Sequence, residues 1–325
     1  MRKCWGRYEA SLYMNLEKKR STLHARSLDA ALLVDMRSNH YRESGQLPGR
    51  LHSLFTRVIN LETADGNLLT LACGASDNAP ASIVVDTQKW SEYPLSVGDP
   101  VHFSPSGIRI GQSLFIEFGN AQTWVCQLPP YAPTSTLLTK NCLLARAHLQ
   151  VQGNGLGLVN AEACALTRFE KAQARAFRLH TQGLCRALLK DDAAQSLRHI
   201  NHLVGLGPGL TPAGDDFLLG LLAVLHLPES PRPAWQALGA QVMACAAMQT
   251  NAISLAALQH AAYGKVRESL VRLCTDLLYA ETPAMYEALD RVLSIGASSG
   301  CDMVVGMLAG FELHERASAL HFPSL

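Results

Sequence analysis

Leu128-Pro-Pro-Tyr-Ala-Pro-Thr134 marks the point where the texture of this 325-residue chain changes. Proline locks φ and has no amide hydrogen to donate, so Pro129, Pro130 and Pro133 can continue neither a helix nor a central strand. The segment reads as a linker. Upstream of it the chain reads as strands. Ser53-Leu-Phe-Thr-Arg-Val-Ile-Asn-Leu61 is one, Asp65-Gly66 is a turn, and Leu68 to Cys73 returns as the second arm of a hairpin. Ser82-Ile-Val-Val-Asp86, Val101-His-Phe-Ser104, Gly107-Ile-Arg-Ile110 and Ser113-Leu-Phe-Ile-Glu-Phe118 follow, with turn signals at Pro105-Ser-Gly107 and Gly111-Gln112. Short strands at this spacing predict a small barrel or sandwich.

Downstream of Thr136 the pattern switches to apolar residues three and four apart among good helix formers, broken by Gly and Pro. Helices are expected over 137–150, 161–190, 192–203, 214–226, 233–262, 266–279, 282–295 and 300–316. The expected architecture is therefore α+β. A loose N-terminal extension spans 1–22, a small β-rich barrel or sandwich domain 23–130, and an all-helical C-terminal domain 131–325.

Composition removes whole classes of function. Lys plus Arg number 28 against 27 Asp plus Glu, so no charge excess favours a nucleic-acid or acidic-membrane partner. The longest strongly apolar run, Phe217 to Leu227, contains His226 and is far short of a bilayer span. Nine scattered cysteines form no CxxC and no Cys/His zinc spacing, which suits reduced thiols in the cytoplasm. No secretory h-region precedes a small-residue cleavage site.

A repeat carries the chemistry. Gly214-Asp-Asp-Phe-Leu-Leu-Gly-Leu-Leu-Ala223 aligns without gaps on Gly300-Cys-Asp-Met-Val-Val-Gly-Met-Leu-Ala309. Asp216, Gly220 and Ala223 share one helical stripe, as do Asp302, Gly306 and Ala309. Glycine inside a helix costs about 1 kcal/mol against alanine, and close helix–helix approach is the simplest reason to keep it. If the two helices pack in parallel, two N-termini and two carboxylates meet.

Before the first of them runs Gly205-Leu-Gly-Pro-Gly-Leu-Thr-Pro212. Alternate glycines let backbone approach a ligand, and free N–H groups at a helix start favour an anion. No Gly-Lys-Ser/Thr follows, so this is not a Walker loop. Asp215 and Asp216 would repel a bare phosphate, unless a divalent cation bridges them or they accept from a neutral N–H group. The plainer alternative is capping: Thr211 as N-cap with Pro212 at N1, and Ser299-Gly-Cys-Asp302 as a capping box. Capping leaves the three spaced glycines and the duplicated Gly-x-Asp unexplained.

A third polar cluster, Thr250-Asn-Ala-Ile-Ser254, interrupts an apolar helical run. Asn251 and Ser254 either orient an amide or carboxylate or hydrogen-bond between helices. His260 reads as structural. His199 and His202 lack a third ligand at defined spacing. Arg26, Arg37, Arg42 and Arg57 are equivalent candidates for a carboxylate clamp.

The Gly-Leu-Gly-Pro-Gly-Leu-Thr-Pro-Ala-Gly-Asp-Asp motif at 205–216, Thr250-Asn-x-Ile-Ser254 and Ser299-Gly-x-Asp302 together resemble the AllH-like family, over about residues 24–316. The resemblance implies a subunit of bacterial oxamate carbamoyltransferase, in anaerobic allantoin degradation and so in purine catabolism. It implies oxalurate + phosphate ⇌ oxamate + carbamoyl phosphate, and two different partner subunits. Phosphorolysis of a carbamoyl group needs an anion pocket, donors for the carbonyl oxygen and a hold on the second carboxylate. Gly207, Gly209, Thr211 and Gly214 are then the phosphate-binding candidates, with Ser254, Ser299 and Gly300 beside them. Asp216, Asp302 and Asn251 are the catalytic candidates, and Asp215, Asp216 and Asp302 could hold magnesium. The Ser-Thr-Arg-Thr signature of ordinary transcarbamylases is absent, so either the site is built differently or the chemistry sits on a partner. Two rivals stand beside this reading: a metal-dependent hydrolase of a phosphorylated or ADP-ribosylated substrate, and a non-catalytic assembly subunit.

Overall fold

The computed structural model describes residues 21–37, 47–132, 136–158 and 167–321. Most of the expected extension, 1–20, lies outside them. The chain divides into two compact units between Val125 and Cys126.

The first unit is built from strands β1 (Ser21–Asp29), β2 (Leu47–Leu54), β3 (Val58–Thr63), β4 (Leu68–Cys73), β5 (Ser82–Val85), β6 (Pro100–Ser104), β7 (Gly107–Ile110), β8 (Leu114–Glu117) and β9 (Gln122–Trp124), with helix α1 (Ala30–Arg37). Eight strands run in the order β5-β4-β3-β2-β6-β7-β8-β1, and β1 pairs again with β5. The sheet therefore closes as a mixed barrel. Strand β1 makes the closure: Ser21–His24 run parallel to β8, while Ala25–Leu28 run antiparallel to β5 past a register shift between Ala25 and Ser27. Such a bulge bends the strand and re-aims its side chains, and closure leaves these eight strands without a free edge. Alternating apolar residues face inward, as in the pairs Ile108 with Ile116 and Ile110 with Leu114, all buried. The stretch 53–61 is not one strand. It turns at 55–57, where the Phe55 amide donates to the Val58 carbonyl (2.9 Å), so its apolar residues belong to two antiparallel arms.

In the second unit lie α2 (Thr136–Gln152), α3 (Arg168–Leu189), α4 (Ala193–Leu203), α5 (Ala213–Leu225), α6 (Leu238–Gln249), α7 (Ala252–Ala261), α8 (Glu268–Tyr279), α9 (Thr282–Leu293) and α10 (Ser299–His321). Tyr131, inside the proline segment, is already buried in this helical core. The expected helix over 233–262 is broken into a 3-10 turn at Pro233–Ala237, α6 and α7. Thr250 is extended between the last two, and Asn251 caps α7 by accepting from the amides of Ile253 (3.0 Å) and Ser254 (3.1 Å). Asn in mid-helix competes for backbone donors, and here it ends one helix and starts another. The start expected near 161 lies outside the described residues; α3 opens at Arg168 behind a Thr167/Glu170 capping box.

Helix α5 is buried on every side and is the axis of the unit. Helix α10 lies along it. A Cβ on Gly220 would sit 1.9 Å from the Met303 carbonyl oxygen, and one on Gly306 would sit 2.0 Å from that of Phe217. Phe217 and Met303 hold the same place in the repeat, so the contact is reciprocal. Thr211 Oγ1 lies 2.6 Å from Ser299 Oγ at one end, and His314 Nε2 donates to the Val224 carbonyl (3.1 Å) at the other, so the two helices run the same way. The repeat extends to the preceding corners. A Cβ on Gly214 would lie 1.9 Å from the carbonyl oxygen of Leu203, ending α4, and one on Gly300 would lie 1.8 Å from that of Val292, near the end of α9.

Gly220→Ala has no flexible neighbour to push aside, only backbone. It is expected to lower stability by about 3 kcal/mol, at the upper end of overpacking costs. Chemical denaturation of the full chain checks this, and a loss under about 0.5 kcal/mol, the level of a neutral surface change, would refute the close crossing.

Candidate functional site

The glycine loop rises from the end of α4 and falls back on the start of α5. Gly205, Gly207 and Gly209 all have left-handed φ (+74°, +115° and +97°), a region other L-residues adopt only with strain. The Gly214 amide closes the loop onto the Leu206 carbonyl (2.8 Å). Pro212, not Thr211, is the N-cap of α5, and its carbonyl accepts from the amides of Asp215 and Asp216 (3.0 Å each). The Thr211 hydroxyl is thereby free to reach Ser299 and tie the two helix starts together.

The two adjacent carboxylates have different surroundings. Asp215 accepts from the Gly205 amide (2.8 Å), the Thr250 hydroxyl (2.5 Å) and the Ser254 hydroxyl (2.6 Å). Asn251 Nδ2 donates to the Leu210 carbonyl (2.8 Å) on the same loop. The Thr250-Asn-Ala-Ile-Ser254 cluster thus latches the glycine loop through Asp215. Among the described residues no group of three or more His, Cys, Asp or Glu is placed to hold a metal ion. Of the expected magnesium set Asp215, Asp216 and Asp302, both Asp215 oxygens already accept hydrogen bonds.

Asp216 and Asp302 face each other across the helix starts. Asp216 is 2% exposed and Asp302 is fully buried. Burial pushes the Asp216 carboxyl up to about 8; the nearby Asp302 charge adds to this, and the hydroxyls of Ser299 and Thr211 act against it. Burial likewise pushes Asp302 up to about 6, opposed by the amides of Gly157 and Leu156. The Asp216 carboxyl therefore holds its proton to higher pH than the Asp302 carboxyl. The Oδ2 atoms of both have no hydrogen-bond partner among the described residues. Buried polar atoms normally find one.

Ser299 to Asp302 is not a capping box. The Asp302 amide donates to the Ser298 carbonyl (3.1 Å), and its side chain accepts from the Gly157 amide (3.2 Å). Gly153-Asn-Gly-Leu-Gly157 therefore belongs to the site, and reading the sequence motif by motif passes over it. Its signal is the same alternate-glycine spacing as in 205–209, here for close approach: a Cβ on Gly155 would lie 2.6 Å from Asp302 Oδ1. Asn154 Nδ2 fastens the stretch to the Ala297 carbonyl.

The remaining candidates stand elsewhere. Arg26 is half-exposed and paired with Asp86 (2.5 Å), and Arg57 is exposed. The Arg37 side chain and all of Arg42 lie outside the described residues. His199 and His202 meet a third histidine on α3: His180 Nδ1 is 3.1 Å from His199 Nδ1, and its ring stacks on His202. Cys73, Cys142, Cys185, Cys245, Cys274 and Cys301 are free thiols.

A closed barrel followed by a helical unit with a duplicated Gly-x-Asp helix start is the class that fold and site define. Residues 203–311 match the family model described as oxamate carbamoyltransferase subunit AllH, and residues 24–123 match the AllH family N-terminal domain. The chain belongs to the AllH family. No solved structure matches it. No helix among the described residues is long and apolar enough to cross a membrane.

The raised Asp216 gives a pH signature. Folded chain keeps a proton that unfolded chain releases above its ordinary carboxylate value of 3.8. Stability contributed by that proton is present at low pH and is lost as pH climbs from about 4 towards about 8. Thermal unfolding from pH 6 to pH 9 is expected to show a falling midpoint that flattens in Asp216→Asn. Equal slopes in both chains would remove the neutral acid from the site.

Proposed function

We propose that this chain acts in the cytoplasm as the small-anion-binding subunit of an oxamate carbamoyltransferase complex. It would handle oxalurate, phosphate, oxamate and carbamoyl phosphate at the joined starts of α5 and α10, beside other subunits. The observation that carries this reading is the Asp216/Asp302 pair: an acid and a carboxylate, each with one bare buried oxygen, under the 205–212 loop. Family membership supplies the reaction class.

In the direction of phosphorolysis, a phosphate oxygen attacks the carbamoyl carbon of oxalurate and the bond to the oxamate nitrogen breaks. A proton leaves the attacking phosphate and one must reach the departing nitrogen. Asp302 can take the first and Asp216 can give the second, the division of labour that carboxyls with separated pKa values support. A neutral Asp216 also removes one of the two adjacent charges that would repel phosphate, and Asp215 is held by its three donors on the other side of the loop's base. Gly207, Gly209 and Thr211 would face the anion, and Asn251 and Ser254 hold the loop that carries them.

The enclosure of both carboxylates favours one other reading, a non-catalytic assembly subunit in which they only fix the helix starts. Thermal unfolding with carbamoyl phosphate, phosphate or oxamate, with and without magnesium, separates the two. A ligand at 100 times its Kd stabilises by about 2.7 kcal/mol. A shift with carbamoyl phosphate, independent of magnesium and lost in Asp302→Asn, is expected. No shift with any of the three in the folded chain contradicts the anion site and leaves the assembly role.

A further inference from the structure

Three histidines outside the carboxylate site meet where α3 packs on α4. His199 and His202 lie three residues apart on α4, and His180 comes to them from α3. His180 Nδ1 is 3.1 Å from His199 Nδ1, and the His180 ring stacks on that of His202 with centroids 4.3 Å apart. Gly183 makes room for this. A Cβ there would lie 2.2 Å from Cε1 of His199, so the imidazole rests on the backbone of α3. Glycine inside a helix costs about 1 kcal/mol against alanine, and this ring contact is what it permits.

The geometry admits only some protonation states. Two Nδ1 atoms at 3.1 Å share one proton, one ring donating its N–H and the other accepting on its lone pair. With both rings protonated, two N–H groups point at each other and two charges meet, so the contact must part. Nothing nearby offsets this. Arg186 on α3 acts on His199 and adds to the repulsion, and Arg198 lies beside His199 on α4. Arg175 and Arg178 leave α3 on the other side from His180. Glu312 and Arg316 of α10 act on Cys185, also round the helix from His180. Helix α6 carries no charged side chain and meets α4 through Gln249 Nε2 donating to Asn201 (2.6 Å), and the turn Leu156–Leu158 is uncharged. At the start of α5, Asp215 is held by Gly205, Thr250 and Ser254, and Asp216 faces Asp302. His24 is ion-paired with Glu117 and His148 with Asp290, whereas among the described residues these three imidazoles have no carboxylate partner.

We infer that His180, His199 and His202 form a pH-operated clasp that holds α4 to α3 and, on acidification, releases the end of α4 that carries the 205–212 loop. The Leu203 carbonyl, at that end, accepts from the Leu206 amide (2.9 Å) and lies 1.9 Å from where a Gly214 Cβ would be, so movement of α4 reaches both ends of the loop. Burial lowers His180 below its usual 6.5, with His202 and His199 adding to it, and burial lowers His199 likewise, with Arg186 and His202 adding. Folded chain therefore binds fewer protons than unfolded chain. The stability these rings contribute is full above about 6.5 and is lost as pH falls, the opposite sense to Asp216. Control of anion binding through the clasp rests on the proposed role of the loop; release of α4 does not.

Amide hydrogen exchange of the full chain at pH 7.5 and pH 5.5, corrected for the intrinsic rates, tests the clasp. Protection over 198–206 is expected to fall at least tenfold at the lower pH, while that of α8 holds. His180→Gln with His199→Gln is expected to show equal protection of 198–206 at both pH values. Asp216 and Asp302 are intact in that variant, so their titration does not account for the difference. Nitrogen-15 spectra of the wild-type imidazoles, which need no variant, should show His180 and His199 leaving their shared-proton state over the same range. Unchanged protection of 198–206 in the wild type, an equal loss in the double variant, or rings that keep their shared proton at pH 5.5 would each overturn the inference. Carbamoyl phosphate is in none of these samples, so failure here is distinct from failure of the anion site.

Discussion

Gly220 against the backbone of Met303, and Gly306 against the backbone of Phe217, set the distance on which the helical unit depends. Side chains normally hold helix axes some 8–10 Å apart. Where each helix offers hydrogen in place of a Cβ, the axes close further, and the first turns of α5 and α10 are carried into each other. Two carboxylates that follow the same Gly-x-Asp pattern then share one dry place. That environment disfavours charge, and the raised values of Asp216 and Asp302 follow from it rather than from any special partner.

The loops answer the same constraint. With the helix starts so close, the chain must turn sharply from α4 into α5, and Gly205, Gly207 and Gly209 supply three left-handed residues for that turn. Asp215 steadies it through Gly205, Thr250 and Ser254. On the other helix, the Gly153–Gly157 stretch folds down onto Asp302. Of the three aspartates Asp215 is thus a structural support, while Asp216 and Asp302 each keep one buried oxygen without a partner among the described residues.

Much of this was legible in the chain. The strand-to-helix change at Leu128–Thr134, the Asp65-Gly66 hairpin and the paired Gly-x-Asp helices all rest on local chemistry, and the reciprocal packing of Gly220 and Gly306 follows from their spacing. What depends on long-range pairing was not. Strand β1 has no turn signals of its own and is fixed by partners near residues 83–85 and 114–117. Asn251 looks like helix interior because apolar residues continue on both sides, although it caps a new helix. The role of Gly153–Gly157 depends on Asp302, some 145 residues later, and no local pattern states that distance.

The most direct test is carbon-13 NMR of the aspartate carboxyls in the full chain, titrated from pH 3 to pH 10 and assigned with Asp216→Asn and Asp302→Asn. Expected are two strongly raised, mutually coupled transitions, one near 8 that Asp216→Asn removes and one near 6 that Asp302→Asn removes. Both carboxyls titrating near the ordinary aspartate value of about 3.9 would show a wet, open helix junction and contradict the buried acid–carboxylate pair.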